Sequence, residues 1–536
     1  MWLLIAGGFA LRVWGVWFGL PHDFARPDEE KLIGAALGIF QGDPNPHFFL
    51  YPTLFIYVIA AAFAALFAIQ RVAGATASQA AFVAQSLANP SILHLAPRML
   101  AALLGTATIP VLYSAARRLS STRAALISST LLAVVFLHVR DSHFGTTDVP
   151  ATFLTVCALA AAASCEANGV TPRRVAAAGL LSGLAASTKY NSALAVLPAM
   201  VVIGRGFRSR DAAWRTASLI GLLFTGLGIG FLAGTPFALL DWRGFLAEFT
   251  IQSRTAFGTH HGATLDAARA VVGERGWSHH LTFTLRYGLG IPLLGAALAG
   301  AGWLIVEQPQ TAAVVLSFPV VFYAAMGVSL LVYARWMVPI VPFLCLTAGM
   351  LVDRAARAIE HMAGRARAAA VAIGVSLACI AGPTLARAIA FDRLVARTDT
   401  RVLGAQWIES HCPGGAALYQ TGAVYGYLQP RPSERYTVVA FDERRHRFRG
   451  AAIGGGLPDV VVVLESPLAV YSAVPDELNA ILDQHYKWVE TFKGTISARM
   501  TGAVYDQQDA FFVPFAGFDA VRRPGPDVHI FERRRP

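Results

Sequence analysis

The sequence predicts a polytopic α-helical membrane protein of about eleven spans of roughly 20 residues each, followed by a small α/β domain on the outer side. Three observations predict it. Hydrophobic residues fill 55% of 536 positions and charged residues only 14%, where a soluble domain carries roughly 25% charge. The apolar residues fall in long runs separated by short arginine clusters, the pattern of membrane helices with their orientation signals. Beyond residue 390 the charge density rises and the apolar runs shorten to strand length. The net charge of +11 sits in those clusters. It therefore reads as sidedness or as phosphate-bearing substrates, and no nucleic-acid partner is implied.

Apolar runs lie near 1–20, 97–116, 122–139, 148–165, 215–234, 282–305, 311–331, 334–353 and 369–389, and 174–204 holds two short ones hinged at "STKYN". Residues 1–20 lack a basic start and a small-x-small cleavage site, so they read as a retained helix. Arg12 near its middle costs about 2.5–3.5 kcal/mol on insertion scales; it either faces protein or marks a start codon assigned too late. The clusters Arg117–Arg118–Arg123, Arg173–Arg174, Arg205–Arg208–Arg210–Arg215 and Arg354–Arg357–Arg365–Arg367 should all be cytoplasmic. The spans between them agree in parity and put the N-terminus inside.

Segment 51–70 looks like one more span. A return through 78–95, with Gln79, Gln85, Asn89 and Pro90, is too polar and proline-broken to insert. Segment 51–70 is therefore expected to lie along the outer face as a juxtamembrane helix within a first outer loop at 21–96. This gives a membrane domain at 1–390 and an extracytoplasmic domain at 391–536. In the latter, "AALYQTG", "YTVVAF", "DVVVVLE", "KWVETF" and "VHIFERR" read as strands and "DTRVLGAQWIES" as a helix. The cysteines Cys157, Cys165, Cys345 and Cys379 lie in apolar segments and Cys412 stands alone, so no disulfide framework follows.

The outer ends carry ionisable groups, which at membrane depth are costly and point to a functional site. "FARPDEEKLIG" brings Asp28, Glu29 and Glu30; "VRDSHFGTTDVPATF" brings Arg140, Asp141, His143 and Asp148; the hinge brings Lys189 and Tyr190; "VYARWMVP" brings Tyr333 and Arg335. Each has a plainer reading. The three acids suit a helix start, Arg140–Asp141 an interfacial ion pair, and Lys189 a snorkelling lysine. Arg335 beside Tyr333 and Trp336 suits an aromatic belt, and Arg98 an anchor at the top of its helix. The pairs His260–His261 and His279–His280 point apart and have no acid at ligand spacing. His143, near Asp141 and Asp148, is the better candidate for a divalent metal, with Asp148 beside it.

An Asp-Glu pair after the first apolar helix, a long first outer loop with "YPTL" at Tyr51, and the second acid in "TTDVP" occur here in order. "GLAASTKYNSALAVLP", "YARWMVPIVPFL" and "LGAQWIESHCPGG" follow. Together they resemble the GT-C glycosyltransferases, in the branch of protein O-mannosyltransferases and lipid A aminoarabinose transferases. The resemblance covers about 1–390 well and the tail weakly.

It implies an inverting transfer of a sugar from a polyprenyl-phosphate carrier to a lipid, glycan or protein acceptor at the outer face of the cytoplasmic membrane. It places Asp28 as general base with Glu29 as neighbour. Lys189, Arg335 and Arg140 would neutralise the departing lipid phosphate. Asp148 would orient the acceptor, tune Asp28 or hold a metal, and Tyr51, Tyr190 and Tyr333 would contact substrate. Metal dependence stays open, because relatives differ. Rival classes are a transporter or flippase, which would place charges at the midplane of repeated halves, and an inert scaffold indifferent to loss of the acids at 28 and 148.

Overall fold

The computed structural model describes residues 1–205, 210–257, 263–273, 275–363, 366–450, 453–454, 456–496 and 502–534. Arg208, Arg365 and the pair His260–His261 lie outside these residues. The chain begins with α1 (Trp2–Val13), α2 (Glu29–Phe40), α3 (Leu54–Val72) and α4 (Gln79–Ala88). It continues with α5 (Ser91–Leu119), α6 (Thr122–Val134), α7 (Phe136–Asp141), α8 (Asp148–Asn168) and α9 (Pro172–Ala186). A 3-10 turn (Tyr190–Val196) then leads to α10 (Leu197–Gly204), α11 (Arg210–Gly234), α12 (Phe237–Leu240) and α13 (Trp242–Ala256).

Among the described residues, seven helices are long and apolar enough to cross a membrane, or eight if Gly276–Leu289 and Ile291–Glu307, bent by 114°, form one span. This is a multi-pass membrane protein. Several expected spans are built from shorter pieces. The run at 122–139 breaks at Val135, whose backbone is extended (ψ 122), and Thr384 Oγ1 accepts the Phe136 N–H just beyond it. The "STKYN" hinge is a real break: Lys189 is extended (φ −152, ψ 124) ahead of the 3-10 turn.

Close helix contact fixes that hinge. Cβ atoms added at Gly179 and Gly183 of α9 would come within 2.2 and 2.1 Å of the Leu223 and Leu227 carbonyl oxygens of α11. Only glycines let these two backbones touch, as small residues do in membrane helix pairs. The end of α9, with Lys189 just past it, is thereby held in place.

Arg12 faces protein. Its guanidinium donates to the carbonyls of Gly8, Leu132 and Ala133 and lies 3.0 Å from His138 Nδ1, so the buried charge is solvated by backbone. At the start of α5, Arg98 donates to both carboxylate oxygens of Glu29. The chain thus returns through α3 and α4 to the end of the bundle where it left α1.

The last long helix, Ala366–Val395, runs through the boundary expected at residue 390. The tail then forms a five-stranded sheet in the order β2-β1-β5-β7-β6. Its strands are β1 (Ala417–Gln420), β2 (Thr437–Val438), β5 (Val460–Glu465), β6 (Tyr486–Phe492) and β7 (Asp527–Arg533), while β3 (Ala440–Asp442) and β4 (Arg447–Arg449) pair separately. β5 is buried on both faces over Val460–Leu464, as a continuous valine run in a central strand should be. It pairs parallel to β1 and antiparallel to β7. One apolar cluster joins the two domains: Phe18, Phe136 and Phe144 of the membrane part pack with Phe511 and Phe515 of the tail.

Candidate functional site

A cavity of about 480 Å³ opens between the start of α2, the segment ahead of α3, the hinge after α9, the α13 region and the start of the 3-10 turn Ala334–Ile340. Asp28, Lys31, Tyr51, Lys189, Tyr190, Tyr333 and Arg335 line it together with Phe249, Ile251 and Phe257 of the α13 region. Charged and apolar side chains therefore share a single space.

Asp28 precedes the first turn of α2 in a left-handed conformation (φ 75), which acids tolerate better than most side chains. Its carboxylate does not cap the helix. Instead, Oδ1 accepts from Lys31 Nζ at 2.9 Å, and Oδ2 accepts from Arg335 Nη2 at 2.8 Å and from the Tyr51 hydroxyl at 3.1 Å. Burial pushes its pKa up, but Arg335 and then Lys31 outweigh burial and hold the carboxyl well below the usual range. Asp28 in turn raises the Lys31 ammonium. Glu30 behaves oppositely: burial, then the charge of Asp28, pushes it up to about 7.

Arg335 is placed from three sides. Its guanidinium lies 4.3 Å from the Tyr333 ring, pairs with Asp28, and meets Asp509 Oδ2 of the tail at 3.1 Å. Lys189 Nζ donates to Asp148 Oδ1, and Thr146 donates to Asp148 Oδ2 at 3.2 Å. Tyr190 donates to the Phe49 carbonyl at 2.8 Å and stacks edge-on against Phe249. Six residues nominated from the sequence (Asp28, Lys189, Arg335, Tyr51, Tyr190 and Tyr333) thus share one cavity, with Asp148 behind Lys189.

The others are not on its wall. Glu29 points the opposite way from Asp28. It is fully buried, pairs with Arg98 at 2.7 Å, accepts the Gly145 N–H at 2.7 Å, and has His94 Nδ1 at 3.5 Å. Arg98 also donates to the Val16 and Phe18 carbonyls, so it is a structural tie rather than a simple helix-top anchor. Arg140 is closed off by its pair with Asp141 and by the rings of Phe144, Phe511 and Phe515; no face of it reaches the cavity. His143 bonds the Val139 and Trp14 carbonyls and has Asp392 at 3.5 Å. Among the described residues no three His, Cys, Asp or Glu side chains are grouped to hold a metal ion, and Asp148 is already engaged by Lys189. This donor set does not fit a metal at His143–Asp148. His280 bonds Thr284, and His279 stacks on Phe283.

Sequence reasoning missed Lys31, although its spacing of three from Asp28 on one helix start was visible. It also missed Arg26, Asp506 and Asp509. The two tail acids stand some 480 residues from Asp28 with no local signature, and only folding brings them to Arg335.

Residues 93–227 match the family of dolichyl-phosphate-mannose-protein mannosyltransferases. The crystal structure of ArnT from Cupriavidus metallidurans bound to undecaprenyl phosphate is similar over 99% of this chain and 97% of that one, at 14% identity and a TM-score of 0.54. Its apo state matches at 15% identity with the same TM-score. The Archaeoglobus fulgidus oligosaccharyltransferase in complex with Zn and sulfate is similar over 91% of this chain and 71% of that one, at 13% identity and a TM-score of 0.50. In the apo form of that archaeal protein the match spans 57% of its length. No curated protein matches the chain. The fold is that of the GT-C glycosyltransferase superfamily.

Proposed function

We propose that this protein transfers a sugar, with inversion, from a polyprenyl-phosphate carrier to an acceptor hydroxyl at the outer face of the cytoplasmic membrane. Asp28 is the general base in this reading. One observation carries it: a carboxylate and three cations line one cavity together with several apolar side chains. That is the chemistry needed by a lipid-linked phosphate next to a proton acceptor. The similar ArnT structure holds undecaprenyl phosphate, and this chain is assigned the same class of carrier.

The acceptor oxygen forms the new bond to the anomeric carbon as the bond from that carbon to the phosphate oxygen breaks. The acceptor proton passes to Asp28, and the electron pair leaves with the phosphate. Lys189, Arg335 and Lys31 stabilise that growing charge, a term that is large in a low-dielectric site. Arg335 links the two halves of the reaction. While it is paired with Asp28 the carboxylate is a weak base. As the phosphate draws the guanidinium away, Asp28 loses its strongest cationic neighbour and its basicity rises.

The test is thermal stabilisation of the purified protein by a panel of polyprenyl-phosphate sugars. A productive donor raises the melting temperature with the logarithm of its concentration and is consumed once its acceptor is added. A flat response across the panel would sink the reading. Sidedness is tested separately with exposed positions. Ser433→Cys on the tail should react with an impermeant thiol reagent in intact spheroplasts, and Arg173→Cys only after lysis; both side chains are exposed. Cys412 is buried and is no reporter. The same reading keeps α3 along the outer face, supported by the return of α5 to the side of Glu29 and by the ten-residue length of α4.

A further inference from the structure

The tail domain has its own sheet and its own apolar core around Leu418, Val462 and Ile530, which would suffice for a separate module resting on the membrane part. One segment does not belong to that core. Residues 505–513, "YDQQDAFFV", leave the sheet domain and enter the membrane domain, where Asp506, Gln508 and Asp509 are each at most 5% exposed.

Their partners converge on one short stretch. Gln508 Oε1 accepts the Val332 N–H at 2.7 Å, and its Nε2 donates to the Leu330 carbonyl at 3.1 Å. Asp506 Oδ2 accepts the Ala334 N–H at 2.9 Å. Asp509 bridges two arginines, Arg26 Nη1 at 2.7 Å on Oδ1 and Arg335 Nη1 at 3.1 Å on Oδ2. The Tyr471 hydroxyl holds the Gln508 carbonyl at 2.9 Å, and Phe511 wedges between Phe18 and Phe144. Residues 330–334 are thus gripped along the backbone, and the guanidinium that follows is held at one edge by the tail. Its other edge is left for Asp28 and the cavity.

Resting on the donor-site reading above, we infer that the tail completes the site: Asp506 and Gln508 fix the backbone leading into Arg335, and Asp509 is the positioning residue that turns its guanidinium toward the cavity. A packing role alone does not require a buried carboxylate divided between two arginines, because unpaired edges would be costly there and an apolar contact would serve. The arrangement also sets the charge. Asp509 removes part of the positive field of Arg26 and Arg335, so it favours geometry over raw affinity for an anion.

Two experiments on the full chain in detergent test this. The first needs no ligand. Gln508→Ala should speed amide exchange at Val332, and Asp506→Ala at Ala334, by at least about tenfold, as expected for an amide that loses its acceptor, while amides of β5 stay protected. Unchanged exchange at both amides overturns the inference. The second uses undecaprenyl phosphate as the probe, with turnover of whichever polyprenyl-phosphate sugar stabilises the wild type. Asp509→Asn should bind the probe as tightly or tighter, because a negative charge has left, yet turn over at least about tenfold more slowly; Asp509→Glu should recover part of the rate. Parallel loss of affinity, rate and melting temperature, with no recovery in Asp509→Glu, would mean a purely structural role and overturn it. If the wild type fails to bind undecaprenyl phosphate, the donor reading falls, and the exchange measurement still decides whether the tail holds Arg335.

Discussion

Asp28 and Glu29 are neighbours in the chain, both buried, both paired with arginine, and they sit in opposite kinds of place. Glu29 is enclosed by Arg98, His94 and the Gly145 amide and touches no cavity. Asp28 has partners as strong, Arg335 and Lys31, but all three of these side chains line open space. A closed ion pair can only tie elements together, since breaking it leaves a bare buried charge. An ion pair on a cavity wall can exchange one partner for a ligand. The side of a helix start, and not the residue type, separates structure from chemistry here.

The largest expected effect tests the closed side. Glu29→Gln leaves Arg98 buried without its counter-charge and should cost about 3–5 kcal/mol, read as a large fall in melting temperature or loss of folded protein. A variant that melts like wild type would erase the distinction. Next comes the open side. Asp28→Asn keeps the shape and the Tyr51 contact but removes the proton acceptor, so turnover should fall at least about 10²-fold with a smaller melting shift than Glu29→Gln. Equal melting losses with unchanged turnover would assign both acids to the scaffold.

Lys189→Met should reduce both donor affinity and turnover by about 10–10²-fold, the scale of one charge-assisted hydrogen bond, and Lys189→Arg should keep part of each. Near-wild-type kinetics for Lys189→Met would remove the lysine from the site. The smallest effect sharpens the comparison with a third neighbour. Glu30 is raised from its ordinary value of 4.5 to about 7 by burial and then by Asp28. A raised carboxyl gives stability that is present below pH 4.5 and lost as pH climbs through 7. Glu30→Gln should therefore melt higher than wild type above pH 7 and lose that advantage near pH 4.5, with turnover changed less than about twofold. A melting difference independent of pH would mean that Glu30 is ionised throughout.

The membrane architecture was legible because it rests on averages. Transfer of a helix into hydrocarbon sums over some twenty side chains, and strand patterns in the tail such as "DVVVVLE" sum over neighbours in register, so composition and spacing report both. The breaks were less legible. The hinge at Lys189 was marked by its polar "STKYN", whereas Val135 departs from helix beside a contact from distant Thr384, and its own run carries no proline or polar gap there. Acids and bases at helix ends could be nominated from sequence, and Asp28, Lys189, Arg335, Tyr51, Tyr190 and Tyr333 meet around one cavity. Sequence could not tell Glu29 and Arg140 from them, because which way a side chain faces depends on what packs behind it.

By itself, then, the sequence determined a membrane-spanning helical chain with an α/β tail and a set of ionisable groups at helix ends, since hydrophobic transfer and local periodicity are properties of contiguous residues. Tertiary structure alone decided which of those groups share water and which are sealed, and it brought Asp509 to Arg335 from the far end of the chain. The physical reason is that an ion pair acts over a few ångströms of space and is indifferent to separation along the sequence.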